Sequence, residues 1–295
     1  MAHTYASLEE AMNFARDEGY AELWGAASTN RSRALSFLES ASRRVEDWCQ
    51  RSAFGSGFGP RIGTNRYDGN GDVELSLRDD LLTATTVTRR PSTAASGTTL
   101  VADTDYYLVN QRSQYEPGPY RRVVLHGQGQ ATFGTGLRVT EILGVWGHQN
   151  VTVVLTPTAA EAIDISETEI DVSGLTGSVT GLGLSPGLTL LVDTEQMYVT
   201  ATTDAVTDSI TVVRAANGST AATHNTAVAL ARYVYDSRVV DATCRIWLKR
   251  WRSRDAGGDG GDGGGDIGAT FPRESEDTIL RRSVGELRIG ARVAS

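Results

Sequence analysis

Two amphipathic helix patterns, Ser32–Arg51 and Asp236–Arg254, lie toward opposite ends of this chain, and the stretch between them reads almost entirely as short strands and turns. In the first pattern Leu35, Leu38, Ala41, Val45 and Trp48 recur at three- and four-residue steps, with Phe37 and Cys49 widening the face. In the second, Val239, Val240, Thr243, Ile246, Trp247 and Arg250 share one side. A single apolar stripe does not stabilise a lone helix in water, because helical stability comes mostly from tertiary packing. The two helices are therefore expected to pack on each other. The β-rich middle then becomes an insertion. The expected fold class is α+β: a small helical bundle hub built by N- and C-terminal helices, carrying a large inserted all-β region of two small sandwich or barrel units.

The pattern also sets domain boundaries. Residues 1–54 hold the N-terminal hub helices, beginning with Ser7–Asp17, where Ser7 and Glu10 have capping-box spacing. At Arg61 the period changes to two, and residues 55–157 form the first β unit: Val73, Leu75 and Leu77 alternate after an Asp68–Gly71 turn, and strands follow at Leu81–Arg89, Asp105–Val109, Arg122–Leu125 and Leu137–Trp146. Residues 158–235 form a second β module, with strands at Ile163–Ile165, Ile170–Val172, Leu188–Val192, Gln196–Ala201, Ser209–Arg214 and Ala227–Leu230. Residues 236–255 are the C-terminal hub helix and 256–266 a Gly/Asp linker. Residues 267–295 form a tail with a short helix at Ser275–Arg282 and a strand-like Leu287–Val293.

Composition narrows the function. In 295 residues, 40% hydrophobic and 22% charged, no apolar run approaches the ~20 residues that cross a bilayer, so no membrane partner is expected. No basic patch followed by an apolar stretch marks a secretory signal. The net charge of −8 argues against a general nucleic-acid coat, since phosphate binding is driven by basic surface. Basic residues nevertheless cluster: Arg43, Arg44 and Arg51 on one helix pattern, and Arg245, Lys249, Arg250, Arg252 and Arg254 on the other. They read either as a solvated face with carboxylate pairs or as an interface for an acidic partner or for passing DNA. Cys49 and Cys244 read as small buried hydrophobes, with a disulfide as the minor alternative.

Catalytic signals are weak. Gly183-Leu184-Ser185-Pro186-Gly187 matches the nucleophile-elbow spacing, but Pro186 and Gly187 lead into a strand where that chemistry needs a helix, so a plain turn is expected. The four histidines, His3, His126, His148 and His224, are scattered without a helical metal-site partner. Asp259, Asp262 and Asp266 in the Gly-rich run lack the closing Glu of a calcium loop. No catalytic residue, metal or cofactor is assigned, and the chain is expected not to be an enzyme.

The run Leu35–Cys49 resembles the helical opening of head–tail connector (adaptor, or head-completion) proteins of tailed bacteriophages. The likeness continues through Arg66-Tyr67-Asp68-Gly69, Asp79-Asp80-Leu81-Leu82, Asp105-Tyr106-Tyr107-Leu108 and Val145-Trp146-Gly147-His148. Residues 193–199, 212–214 and 217–224 resemble a small β module inserted in phage neck and tail proteins. The resemblance implies a dodecameric ring of identical subunits in the virion neck, assembled in the host bacterial cytoplasm. Such a ring sits below the portal protein, receives the next neck or tail-completion protein, and passes DNA without sequence specificity. On that reading Phe271, Ile279, Leu280, Leu287 and Ile289 are the portal-docking anchors. Leu35, Leu38, Val45, Trp48, Ile246, Trp247 and Trp251 form the hub and subunit interface, and Arg43, Arg44, Arg245, Lys249, Arg250, Arg252 and Arg254 the basic interface. The competing expectation is an adhesion or carbohydrate-binding module, with Tyr106, Tyr107, Tyr115, Tyr120 and Trp146 lining a sugar site.

Overall fold

The structure, a computed structural model, describes residues 3–22, 30–51, 57–110, 119–126, 132–173, 183–203, 208–255 and 275–287. The chain is mixed α+β and divides into two compact units. One comprises Met1–Gln50, Thr152–Ala216 and Thr220–Ser295; the other comprises Arg51–Val151 and Asn217–Ser219.

The second of these is built on β1 (Arg61–Asn70), β2 (Glu74–Arg89), β3 (Thr98–Leu100), β4 (Tyr106–Asn110), β5 (Tyr120–Leu125) and β6 (Thr135–Trp146), in the order β1-β6-β2-β5-β4 with β3 also on β2. All pairings are antiparallel. Leu75, Leu81, Val87, Val123, Ile142 and Trp146 lie in its core. Strand β1 has little apolar period and was not expected as a strand. It forms because its backbone pairs along β6 from Arg61↔Trp146 to Asn70↔Thr135, so the expected turn at Asp68–Gly71 begins inside it. Strand β2 runs unbroken where two strands were expected. Bulges let its first part pair with β5 and its second with β6.

In the other unit β7 (Thr152–Ala159), β8 (Glu169–Ser173), β9 (Thr189–Val192), β10 (Glu195–Thr203), β11 (Ser209–Val213) and β12 (Ala229–Tyr233) close a barrel in the order β10-β11-β8-β7-β12-β9. Leu190, Val192, Met197, Val199, Ile210 and Leu230 fill it. Strand β7 begins before the expected boundary at residue 158, and carries a proline, Pro157. The expected strand Ile163–Ile165 reduces to one bridge, Ile163↔His224.

The same unit contains α1 (Leu8–Asp17), α2 (Arg31–Trp48), α3 (Ser237–Asp255) and α4 (Glu276–Val284). Helix α1 starts at the capping box: Ser7 Oγ accepts from Glu10 N at 3.0 Å, and the Glu10 carboxylate accepts from Ser7 N at 2.7 Å. Helices α2 and α3 meet through Trp247, whose Nε1 donates to Ala34 O at 3.0 Å, and through Trp251, edge-on to Phe37. Leu35, Leu38, Val45, Ile246, Trp247 and Trp251 are buried, whereas Trp48 is half-buried. Cys49 and Cys244 are buried free thiols, and burial together with Glu10 and Asp241 pushes the Cys244 thiol up.

Candidate functional site

The serine of the elbow-like motif serves a helix. Pro186 O accepts from Leu8 N at 2.9 Å and Ser185 Oγ from Glu9 N at 3.2 Å, so the turn before β9 satisfies first-turn donors of α1. Gly187 closes the turn at φ +98°, and a Cβ there would stand 2.7 Å from Thr4 Oγ1. Ser185 is 2% exposed, and the segment after it is a strand, as the sequence indicated. A nearby cleft of about 50 Å³, lined by Thr4, Glu10, Arg232, Tyr233 and Val240 among others, has room for a few waters.

Three histidines sit beside buried carboxylates. In the sheet unit, Asp80 on β2 is fully buried and takes Arg51 Nη1 at 2.6 Å, Arg121 Nε at 2.5 Å and His148 Nδ1 at 3.1 Å. Its own carbonyl accepts from Gly147 N at 2.9 Å, and Phe58 O accepts from the N–H groups of His148 and Gln149, both at 3.2 Å. Arg51 also lies over the Phe58 ring. Burial opposes the Asp80 charge, but the His148 hydrogen bond and the two guanidinium groups hold its carboxyl well below the usual range.

In the barrel, Glu195 is fully buried. Arg214 grips it in bidentate fashion, Nε at 2.7 Å and Nη2 at 2.8 Å, and the backbone N–H groups of Ala215 and Ala222 each donate at 3.0 Å. His224 bridges Glu195 through Nε2 at 3.0 Å and Asp193 through Nδ1 at 2.8 Å. Burial raises the Glu195 pKa, and these donors outweigh it, bringing the carboxyl down to about 2. On α2, Glu46 faces His3 at 3.2 Å, Arg43 at 2.7 Å and the Tyr5 hydroxyl. Its pKa is also lowered, burial being overcome by those partners. A general acid near neutrality needs a raised carboxyl. These three are lowered and saturated, which suits them to holding chain segments together. Sequence reasoning missed them; the available signal, for Asp80 alone, was a pair of acids, Asp79-Asp80, directly before the apolar Leu81-Leu82.

The basic residues largely meet this chain's own carboxylates. Arg44 reaches Asp277 at 2.6 Å and Glu276 at 3.3 Å. Arg250 takes Glu276 with Nε at 2.9 Å and Nη2 at 3.0 Å, and Arg245 pairs with Asp241 at 2.9 Å. Arg252 lies over the Tyr20 ring, and Lys249 contributes to lowering the Glu276 pKa. Nothing is described of the Arg254 side chain. The anchors expected to dock on a portal divide differently from the expectation. Ile279 and Leu280 are 5% and 0% exposed, because α4 folds back on α2 and α3, so they do not present a free docking face. Leu287 is half-buried in a 3₁₀ turn, Gly285–Leu287, and not in a strand. Phe271, Ile289 and the 256–266 linker with Asp259, Asp262 and Asp266 lie outside the described residues.

The residues expected to line a sugar site fall in different surroundings. Tyr106 and Trp146 belong to the sheet core, Tyr120 is half-buried and Tyr107 exposed, while Tyr115 lies outside the described residues. His126 meets the Tyr107 ring edge-on. Among the described residues no group of three or more His, Cys, Asp or Glu is placed to hold a metal ion, and no helix is long and apolar enough to cross a membrane. Comparisons with protein-family models, with curated proteins and with solved structures return no match for this chain.

Proposed function

We propose that the chain is a structural subunit of a tailed-phage neck, an adaptor that forms a ring with identical copies below the portal, joins capsid to tail and leaves a channel for DNA. One observation carries the reading toward assembly. Val153 and Val154 are consecutive in β7 and are 48% and 67% exposed. Consecutive strand residues point to opposite faces, so the start of β7 presents apolar side chains on both sides. A neighbouring subunit that covers this end of the strand removes exposed apolar surface from water. The saturated carboxylate clusters agree with a load-bearing role, since they spend their lone pairs inside each unit.

On this reading the helices α2 and α3, drawn from distant parts of the sequence, are the hub of the subunit, and the two β units are its insertions. Portal docking by the tail then falls on the residues around Phe271 and Ile289, because α4 is engaged within the chain. Passing DNA meets the ring without sequence specificity. Electron microscopy of the purified chain mixed with its portal protein tests the proposal. A closed ring with a central channel on one face of the portal is expected. A chain that stays monomeric and leaves the portal bare would overturn it.

A further inference from the structure

We propose that α4 is an exchangeable arm: the seat it occupies on α2 and α3 is also an interface for the same helix of a second copy of this chain. The seat and the helix are charge-complementary. Helix α4 brings Glu276 and Asp277 in its first turn, and Glu286 lies just beyond it. The seat brings Arg44 from α2 and Arg250 and Arg238 from α3, with pairs at 2.6 to 3.3 Å. Inside that rim Ile279, Leu280 and Val284 are buried, and Ser283 Oγ lies 3.1 Å from Asp241 Oδ2. The basic helix face, which the sequence left open between a solvated face with carboxylate pairs and an interface for an acidic partner or passing DNA, meets an acidic helix of the chain itself.

Helix α4 is also a self-contained element. Ser275 caps it, the side chain accepting from Thr278 N at 3.1 Å, and Arg281 and Arg282 lie in the last turn, where cations suit the helix dipole. It is joined to α3 only through residues 256–274, whose span at full extension is roughly 60 Å at ~3.3 Å per residue. Gly and Asp make up nearly all of residues 256–266. These contacts hold the arm in its own seat, and the identical seat of a neighbouring copy offers the same ones. The inference goes beyond the neck reading, since it requires identical copies but no portal.

Cysteine pairing at the Asp241–Ser283 contact tests it in the full chain. A chain carrying Asp241→Cys is mixed with a differently tagged chain carrying Ser283→Cys, concentrated, oxidised and read on a non-reducing gel. The mixture is expected to give a disulfide-linked heterodimer at least tenfold above either variant oxidised alone. The double variant in one chain should close internally when dilute and link chains when concentrated. Internal closure at every concentration, with no heterodimer from the mixture, overturns the proposal. Where no sample forms a disulfide, charge reversal decides: chains carrying Arg250→Glu and Glu276→Arg should dimerise with each other and not with themselves in native mass spectrometry. A mixture that behaves as the sum of its parts overturns the proposal equally.

Discussion

Asp80 and Glu195 are both fully buried carboxylates with arginine and histidine partners, one in each unit, yet they join different things. Glu195 draws its donors from one neighbourhood of the chain, residues 214 to 224, just after the strand that pairs with its own. Asp80 draws Arg51 from the first residue of the sheet unit, Arg121 from β5 and His148 from just after β6. Where the chain enters the sheet unit and where it leaves are thereby tied to one side chain in the middle of β2. A local cluster shapes a barrel wall, and a long-range cluster fixes an insertion at its two ends. Removing the second kind should therefore loosen a whole unit, and removing the first kind only part of one.

The largest effect is expected from Asp80→Asn. It leaves Arg51 buried without its anion, and breaking a buried pair costs about 3–5 kcal/mol. Hydrogen exchange should show β1 to β6 losing protection while the barrel strands keep theirs; equal loss in both units would erase the contrast. Glu195→Gln should cost less, about 1.5–3 kcal/mol, because Arg214 also donates to the carbonyls of Asp164, Glu167 and Ala222. Its exchange signature should stay near the β9–β11 end of the barrel.

Acid sharpens the same contrast. Both carboxyls have folded pKa values below their ordinary ones, so each contributes fully at pH values above its unfolded pKa and progressively less as pH falls toward its folded value. For Glu195 that window runs from pH 4.5 down to about 2. For Asp80 the loss starts below 3.8. An acid titration followed by exchange mass spectrometry should show Glu195→Gln flattening the barrel's response between pH 4.5 and 2; an unchanged acid response would remove Glu195 as its cause.

Smaller effects test the junction of barrel and helix. Gly187→Ala forces a side chain into positive φ against Thr4 and should cost about 1–3 kcal/mol, seen as a lower Tm together with faster exchange at the start of α1. Ser7→Ala removes only the cap hydroxyl and should cost ~1 kcal/mol, with fraying confined to α1.

The helices were the most legible part of the sequence. The Ser7–Glu10 box, the stripe from Leu35 to Val45 and the stripe through Ile246 and Trp247 act between residues three or four apart, so sequence spacing alone reveals them. Strand β7 escaped because consecutive Val153 and Val154 break the alternation and Pro157 argues against a strand; pairing with β12 supplies what periodicity does not. Ile279 and Leu280, expected as docking anchors, stand out as apolar in the sequence, but which surface covers them was not readable.

By itself, then, the sequence determined the mixed α+β character, the helix stripes and caps, and the β-rich middle, because propensity, periodicity and capping are short-range effects. The tertiary structure decided that Arg51 meets Asp80, that Ser185 meets the first turn of a helix, and that the basic face of α2 and α3 meets the acids of α4. Those pairings join residues 29, 176 and 233 positions apart, and at such separations the chain's path through the fold decides which groups become neighbours.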